Sequence, residues 1–125
     1  MNGFADENTQ IGIDFDGVIH KNSKGFHDGT IYDEPIEGVE EALKTIASKY
    51  TIVLYTAKAK ADRPLVDGKT GAVLVLEWLQ KYKLDQYVAA ITAEKPRAVA
   101  YIDDKGIRFN NWQDCLAELN TLSIL

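Results

Sequence analysis

Apolar residues in this chain fall into short dense runs separated by stretches where they recur every three or four positions. The run over residues 10–15, ending in Asp14 and Phe15, predicts a buried strand, and TIVLYT over 51–56 predicts a second. AVAYID over 98–103 predicts a third strand, and YVAAIT over 87–92 a weaker one. Between them lie helical patterns. Pro35 sits at the favoured first-turn position of a helix with Ile36, Val39, Leu43, Ile46 and Ala47 on one face. Thr70 caps a second helix with Ala72, Val75, Leu76 and Leu79 inward, and Asn111 caps a third with Trp112, Cys115, Leu116 and Leu119 inward. Residues 18–34 alternate around the turn signals NSKG and HDG, which predicts a small β-hairpin flap, and residues 57–69 predict a loop.

Strands alternating with helices imply an α/β fold: a doubly wound, Rossmann-like, mainly parallel sheet with helices on both faces. No repeat or linker divides the chain, so the expectation is one domain over residues 1–125 with a flexible lead-in at 1–8.

Composition narrows the function classes. The chain is 46% hydrophobic and 26% charged, ordinary for a globular domain. A net charge of −5 disfavours extended sequence-independent binding to nucleic acid, which needs many phosphate contacts. The single cysteine, Cys115, excludes an internal disulfide and suits a reducing compartment. No apolar run has the length of a membrane span, and MNGFADENTQ lacks the pattern of a signal peptide, so a cytoplasmic protein without membrane contact is expected.

The chemistry gathers at strand ends, where parallel α/β sheets bind ligands. The first strand closes on Asp14-Phe15-Asp16-Gly17, the second on Thr56 and the strand over 98–103 on Asp103-Asp104. Asp14 and Asp16 are two apart and share one side of an extended chain. Four carboxylates converging from two strands repel one another unless a cation compensates. Mg²⁺, which takes oxygen ligands and keeps several waters, suits that role. His20 and His27 both fall in the flap, with no partner at zinc-ligand spacing, and are expected to be structural or surface residues. Trp112 and Cys115 belong to the core by periodicity.

These residues carry a resemblance. IDFDGVI resembles the first motif of the haloacid dehalogenase (HAD) superfamily, VLYT its second and YIDDK its acidic fourth, in the family's order, with Lys95 matching the third-motif lysine. Val18 stands where the family usually has threonine. The resemblance implies Mg²⁺-dependent phosphoryl transfer through an aspartyl-phosphate. Asp14 is then the nucleophile, and Asp16 the general acid and later base. Thr56 would bind the phosphoryl oxygens. The metal would be held by Asp14, the Asp16 carbonyl and Asp103, with Asp104 beside them as ligand or supporting partner.

Two expectations follow on the lysines and the substrate. Only seven residues separate Lys95 from Asp103, short for a parallel crossover, so Lys95 is expected to start near the far end of a six-residue strand. Lys58, two residues past Thr56, reaches the phosphate position without difficulty. The segments after the first and second motifs leave no room for a cap domain, which implies an open site for a phosphorylated macromolecular end or for a small substrate enclosed by a neighbouring copy of the chain. Basic residues in loops (Lys21, Lys24, Lys58, Lys60, Arg63, Lys69, Lys95, Arg97 and Lys105) favour phosphorylated substrates. The expected activity is that of a phosphomonoesterase. The alternatives are a 3′-phosphatase, with nucleic acid as substrate only, and a catalytically silent binding module of the same fold.

Overall fold

The computed structural model of the protein describes residues 9–25, 30–103, 107–108 and 111–121. Among these residues, five strands form one parallel sheet: β1 (Gln10–Asp14), β2 (Thr51–Tyr55), β3 (Ala90–Thr92), β4 (Ala100–Asp103) and β5 (Ile107–Arg108). Their order is β3-β2-β1-β4-β5, so the chain winds outward from β1 in both directions. Helix α1 (Val39–Ala47) links β1 to β2, α2 (Gly71–Lys81) links β2 to β3, and α3 (Trp112–Thr121) follows β5. The fold is therefore the α/β, Rossmann-like parallel sheet, without a cap. The two-residue β5 is too short for any periodicity to announce it.

Strand alternation divides the sheet into two unlike faces. Ile11, Ile13, Ile52, Leu54 and Ile102 share one face by register and join a single core with Leu43 and Ile46 of α1, Val75 and Leu79 of α2, and Cys115 and Leu119 of α3. Fully burying each such side chain contributes about 1.5–3 kcal/mol. The other face carries Gly12, Val53, Tyr55 and Tyr101. Helices were expected on both faces, but the cover is unequal. All three helices feed the first core, and residues 93–99 cross the second face.

That crossing explains how β3 reaches β4 without a helix. Three strand spacings of about 4.8 Å separate the two, while eight chain steps reach at most ~26–29 Å, so an extended segment suffices. Its track is visible in its contacts. Pro96 lies over Gly12, Gln10 donates through its side-chain amide to the Arg97 carbonyl at 2.6 Å, and Val99 N–H reaches the Gln10 carbonyl at 2.9 Å. Gly12 is small for a reason. A Cβ there would stand 2.9 Å from the Tyr101 ring and 3.3 Å from Pro96.

Helix α1 starts at Val39, not at Pro35. Gly38 takes a left-handed φ of 87°, which breaks the helical path, and Pro35 instead pairs antiparallel with His20. The flap over 18–34 shows no regular strands among its described residues. Its base is closed by Lys21 N–H to the Glu34 carbonyl and Ile36 N–H to the Ile19 carbonyl. The NSKG turn forms, with Gly25 N–H bonded to the Asn22 carbonyl, while the HDG turn and His27 lie outside the described residues. In α2, Trp78 takes the buried position expected of Leu76, which is 41% exposed.

Gly12→Ala should lower stability by about 1–3 kcal/mol, because the added methyl displaces Tyr101 or the crossing segment. A urea unfolding midpoint that falls with an unchanged slope would register it.

Candidate active site at the carboxyl edge of the sheet

The edge begins where β1 stops. Phe15 enters the core completely, which leaves Asp14 and Asp16 on the other side of the chain. Asp14 accepts the Phe15 N–H at 2.9 Å. Gly17 then turns with a φ of 82°, and the Phe15 carbonyl collects the N–H groups of Val18, Ile19 and His20. This tight loop brings His20 back beneath Asp16.

Asp16 is gripped on both oxygens. Its Oδ1 lies 2.9 Å from His20 Nδ1 and its Oδ2 lies 3.1 Å from Lys58 Nζ. Burial alone would raise the carboxyl pKa, but the hydrogen bonds from His20 and Lys58 and the Lys58 charge overcome it and hold Asp16 below its ordinary value. Lys58 itself is 91% buried, an unusual place for an ammonium without a partner. It stands in a single 3₁₀ turn, Ala57–Ala59, whose first N–H groups are capped by Thr56: Thr56 Oγ1 accepts the Lys58 N–H at 3.2 Å. Thr56 is anchored in turn by its own N–H to the Thr92 carbonyl at 2.9 Å, and its hydroxyl keeps a proton to donate. On the far side of this turn, Gly71 at the start of α2 approaches so closely that a Cβ would fall 1.6 Å from the Lys58 carbonyl oxygen.

A second carboxylate is paired one strand further on. The β1–β4 register, Ile13 opposite Ile102, brings Asp14 next to Asp103 at the following step. Asp103 is buried, and its Oδ2 accepts from the Tyr55 hydroxyl and lies 3.2 Å from Lys95 Nζ. The Lys95 ammonium also sits 4.6 Å from the Tyr101 ring centre and 5.7 Å from that of Tyr55. The expectation that Lys95 starts at the far end of the sheet is therefore corrected. Strand β4 is four residues long, and Lys95 leaves the carboxyl end of β3 before the chain descends across Gly12.

Asp14, Asp16, Thr56, Lys58 and Asp103 thus stand at one edge of the sheet, and Lys95, expected at the far end, joins them there. Asp104 lies outside the described residues. Among the described residues, no group of three or more His, Cys, Asp or Glu side chains is drawn together as for a metal ion. Lys58 and Lys95 compensate part of the negative charge at this edge. His20 and Tyr55 were missed. Each is an unremarkable residue in sequence, and only the turn at Gly17 and the register of β2 with β1 turn them toward the carboxylates. A cavity of about 490 Å³ opens between Ile36, Glu37 and Gly38, before α1, and Asn111, Trp112 and Gln113, at the start of α3. Its lining holds no cation, so it suits an uncharged portion of a ligand better than a phosphate.

Compared with models of known families, with curated proteins and with solved structures, the chain finds no match.

Two outcomes test this geometry. Gly71→Ala should destabilise the fold by about 1–3 kcal/mol and loosen Lys58, since the new methyl meets backbone rather than a movable side chain. Acid stability offers the other measurement. Asp33 in the flap accepts from the Ser23 hydroxyl and N–H, which lower its carboxyl from 3.8 to about 2, and Asp16 is lowered as well. A depressed folded pKa means stability that is complete above the unfolded value and drains away as pH falls through the folded one. Unfolding midpoints should therefore drop between pH 3.8 and about 2, and Asp33→Asn should flatten that decline.

Proposed function

We propose that the protein is a phosphomonoester hydrolase that works through an aspartyl-phosphate on Asp14 with Mg²⁺ as its cofactor. The observation that carries the proposal is the meeting of two lysine–carboxylate pairs on either side of Asp14 at one sheet edge. The resemblance of IDFDGVI, VLYT and YIDDK to HAD-superfamily motifs supports the same reading.

The donor set suits the metal. Asp14, the Asp16 carbonyl and Asp103 are hard oxygen donors, with Asp104 next in sequence, and these are the residues that would hold the ion. When bound, Mg²⁺ would neutralise phosphate charge so that an anionic nucleophile can approach. Lys95 on Asp103 limits the negative charge at the edge in its absence.

The residues divide the remaining work. An Asp14 carboxylate oxygen attacks phosphorus as the bond to the leaving oxygen breaks, giving an acyl phosphate. Asp16, once it has taken up a proton brought by the phosphate monoanion, delivers it to that leaving oxygen, and then receives one from the water that attacks phosphorus and releases Asp14. Lys58 holds Asp16 ionised in the free protein. A phosphate that attracts the ammonium relieves that hold and leaves Oδ2 open to the proton. The Thr56 hydroxyl and the two lysines contribute donors to the phosphoryl oxygens. The absence of a cap leaves this edge accessible, which suits small phosphomonoesters and phosphorylated chain ends alike.

Purified protein should hydrolyse an aryl phosphate in the presence of Mg²⁺, and a panel of phosphomonoesters that includes 3′-phosphorylated oligonucleotides would sort the substrate class. Chelation and Asp14→Asn should each abolish turnover, and undiminished activity in Asp14→Asn would overturn the proposal. Lys58→Ala and Lys95→Ala should each cost on the order of 10²-fold in kcat, comparable to losing one preorganised donor. Wild-type rates in both lysine variants would remove them from the phosphate site.

A further inference from the structure

His20 is fully buried, yet both of its ring nitrogens are in use. Nε2 lies 3.1 Å from the backbone nitrogen of Asp33, which can only donate. Nε2 must therefore be the acceptor and carry no proton. The remaining ring proton sits on Nδ1, where it points at Asp16 Oδ1 at 2.9 Å. Flap backbone thus chooses the tautomer, and the tautomer aims a donor at Asp16.

The surroundings fix the ring as firmly as the hydrogen bonds do. Phe15 stacks on it at 5.6 Å with planes 15° apart, and Tyr32 and Trp78 meet it edge-on at 5.2 and 5.7 Å. Asp33 is itself held in place. Trp78 Nε1 donates to its carbonyl at 2.9 Å, and its carboxylate receives the Ser23 hydroxyl at 2.6 Å. The chain of contacts runs from α2 and the flap, through the Asp33 N–H and the imidazole, to one oxygen of Asp16.

We infer that His20 is a positioning residue for Asp16: locked by the flap as the Nδ1–H tautomer, it occupies Oδ1 permanently and reserves Oδ2 for proton transfer. This rests on the hydrolase proposal for its consequence, but not for its geometry. An imidazole donating to Oδ1 fixes the carboxylate's rotation about its last bond, so that Oδ2 alone faces Lys58 and the reacting edge.

Nitrogen NMR on labelled protein, in a His27→Gln background that leaves His20 as the one histidine, reads the tautomer directly. A protonated Nδ1 and an unprotonated Nε2 are expected, and the opposite tautomer overturns the inference. Kinetics supply the second readout. His20→Phe keeps an aromatic ring but no donor, and should lower kcat about 10–100-fold with KM little changed, as losses of orienting partners do. His20→Asn carries an amide nitrogen the same number of bonds from Cβ as Nδ1, and should recover most of that loss. Wild-type kcat in a folded His20→Phe, or an Asn variant no better than Phe, overturns the positioning role. If His20→Phe fails to fold, the Asn variant and the wild-type spectrum decide. If the wild-type protein hydrolyses no phosphomonoester, the hydrolase proposal falls, and the inference on His20 is then judged by the tautomer alone.

Discussion

An ammonium that is 91% buried must keep its counter-charge, and the pairing of Lys58 with Asp16 is the constraint around which this edge is built. Removing one member of a buried pair costs about 3–5 kcal/mol, because the other is left charged and desolvated. The pair joins the loop after β1 to the turn after β2, and Gly71 presses the start of α2 onto the same turn. Three elements distant in sequence are thereby fixed to one another at the place where β1 ends. The aromatic residues around His20 extend that fixed region into the flap.

Lys95 and Asp103 repeat the device in a looser form. Lys95 is 41% exposed, so screening by solvent weakens the attraction, and the ammonium relies on the tyrosine faces beneath it. The two lysines therefore differ in kind: one is enclosed and tied to a turn, the other lies on the rim above an aromatic floor. Lys95 is the more accessible of the two from solvent.

Much of this was legible from residue order. Dense apolar runs gave away β1, β2 and β4 because a strand buried in a parallel sheet has few polar positions to confuse it. The Asp14-Phe15-Asp16 alternation held because Phe15 is drawn wholly into the core. The lysine at 95 was misjudged for a physical reason. Counting residues assumes a strand that runs the full apolar stretch, whereas the ladder here forms over four residues and the stretch before it lies flat across the sheet. Gly12 was the available clue, a residue without a side chain in the middle of a buried strand. His20 was hidden because its burial depends on a left-handed glycine and on contacts from Tyr32 and Trp78, none of which periodicity encodes. The start of α1 was misplaced because proline tolerates a helix start without requiring one, and Gly38 took the boundary instead.

The segment over Gly12 has a consequence for how the chain can vary in length. Residues 93–99 are pinned along their diagonal descent, with Lys95 over Tyr101, Pro96 against Gly12 and Arg97 bonded to Gln10. Deleting a residue after Lys95 would drag its ammonium down the face and away from Asp103. An insertion at the same place would loop outward into solvent and leave the ion pair where it stands. The tether works as a ruler that resists shortening and forgives lengthening, so tolerance to indels at this crossing should be lopsided.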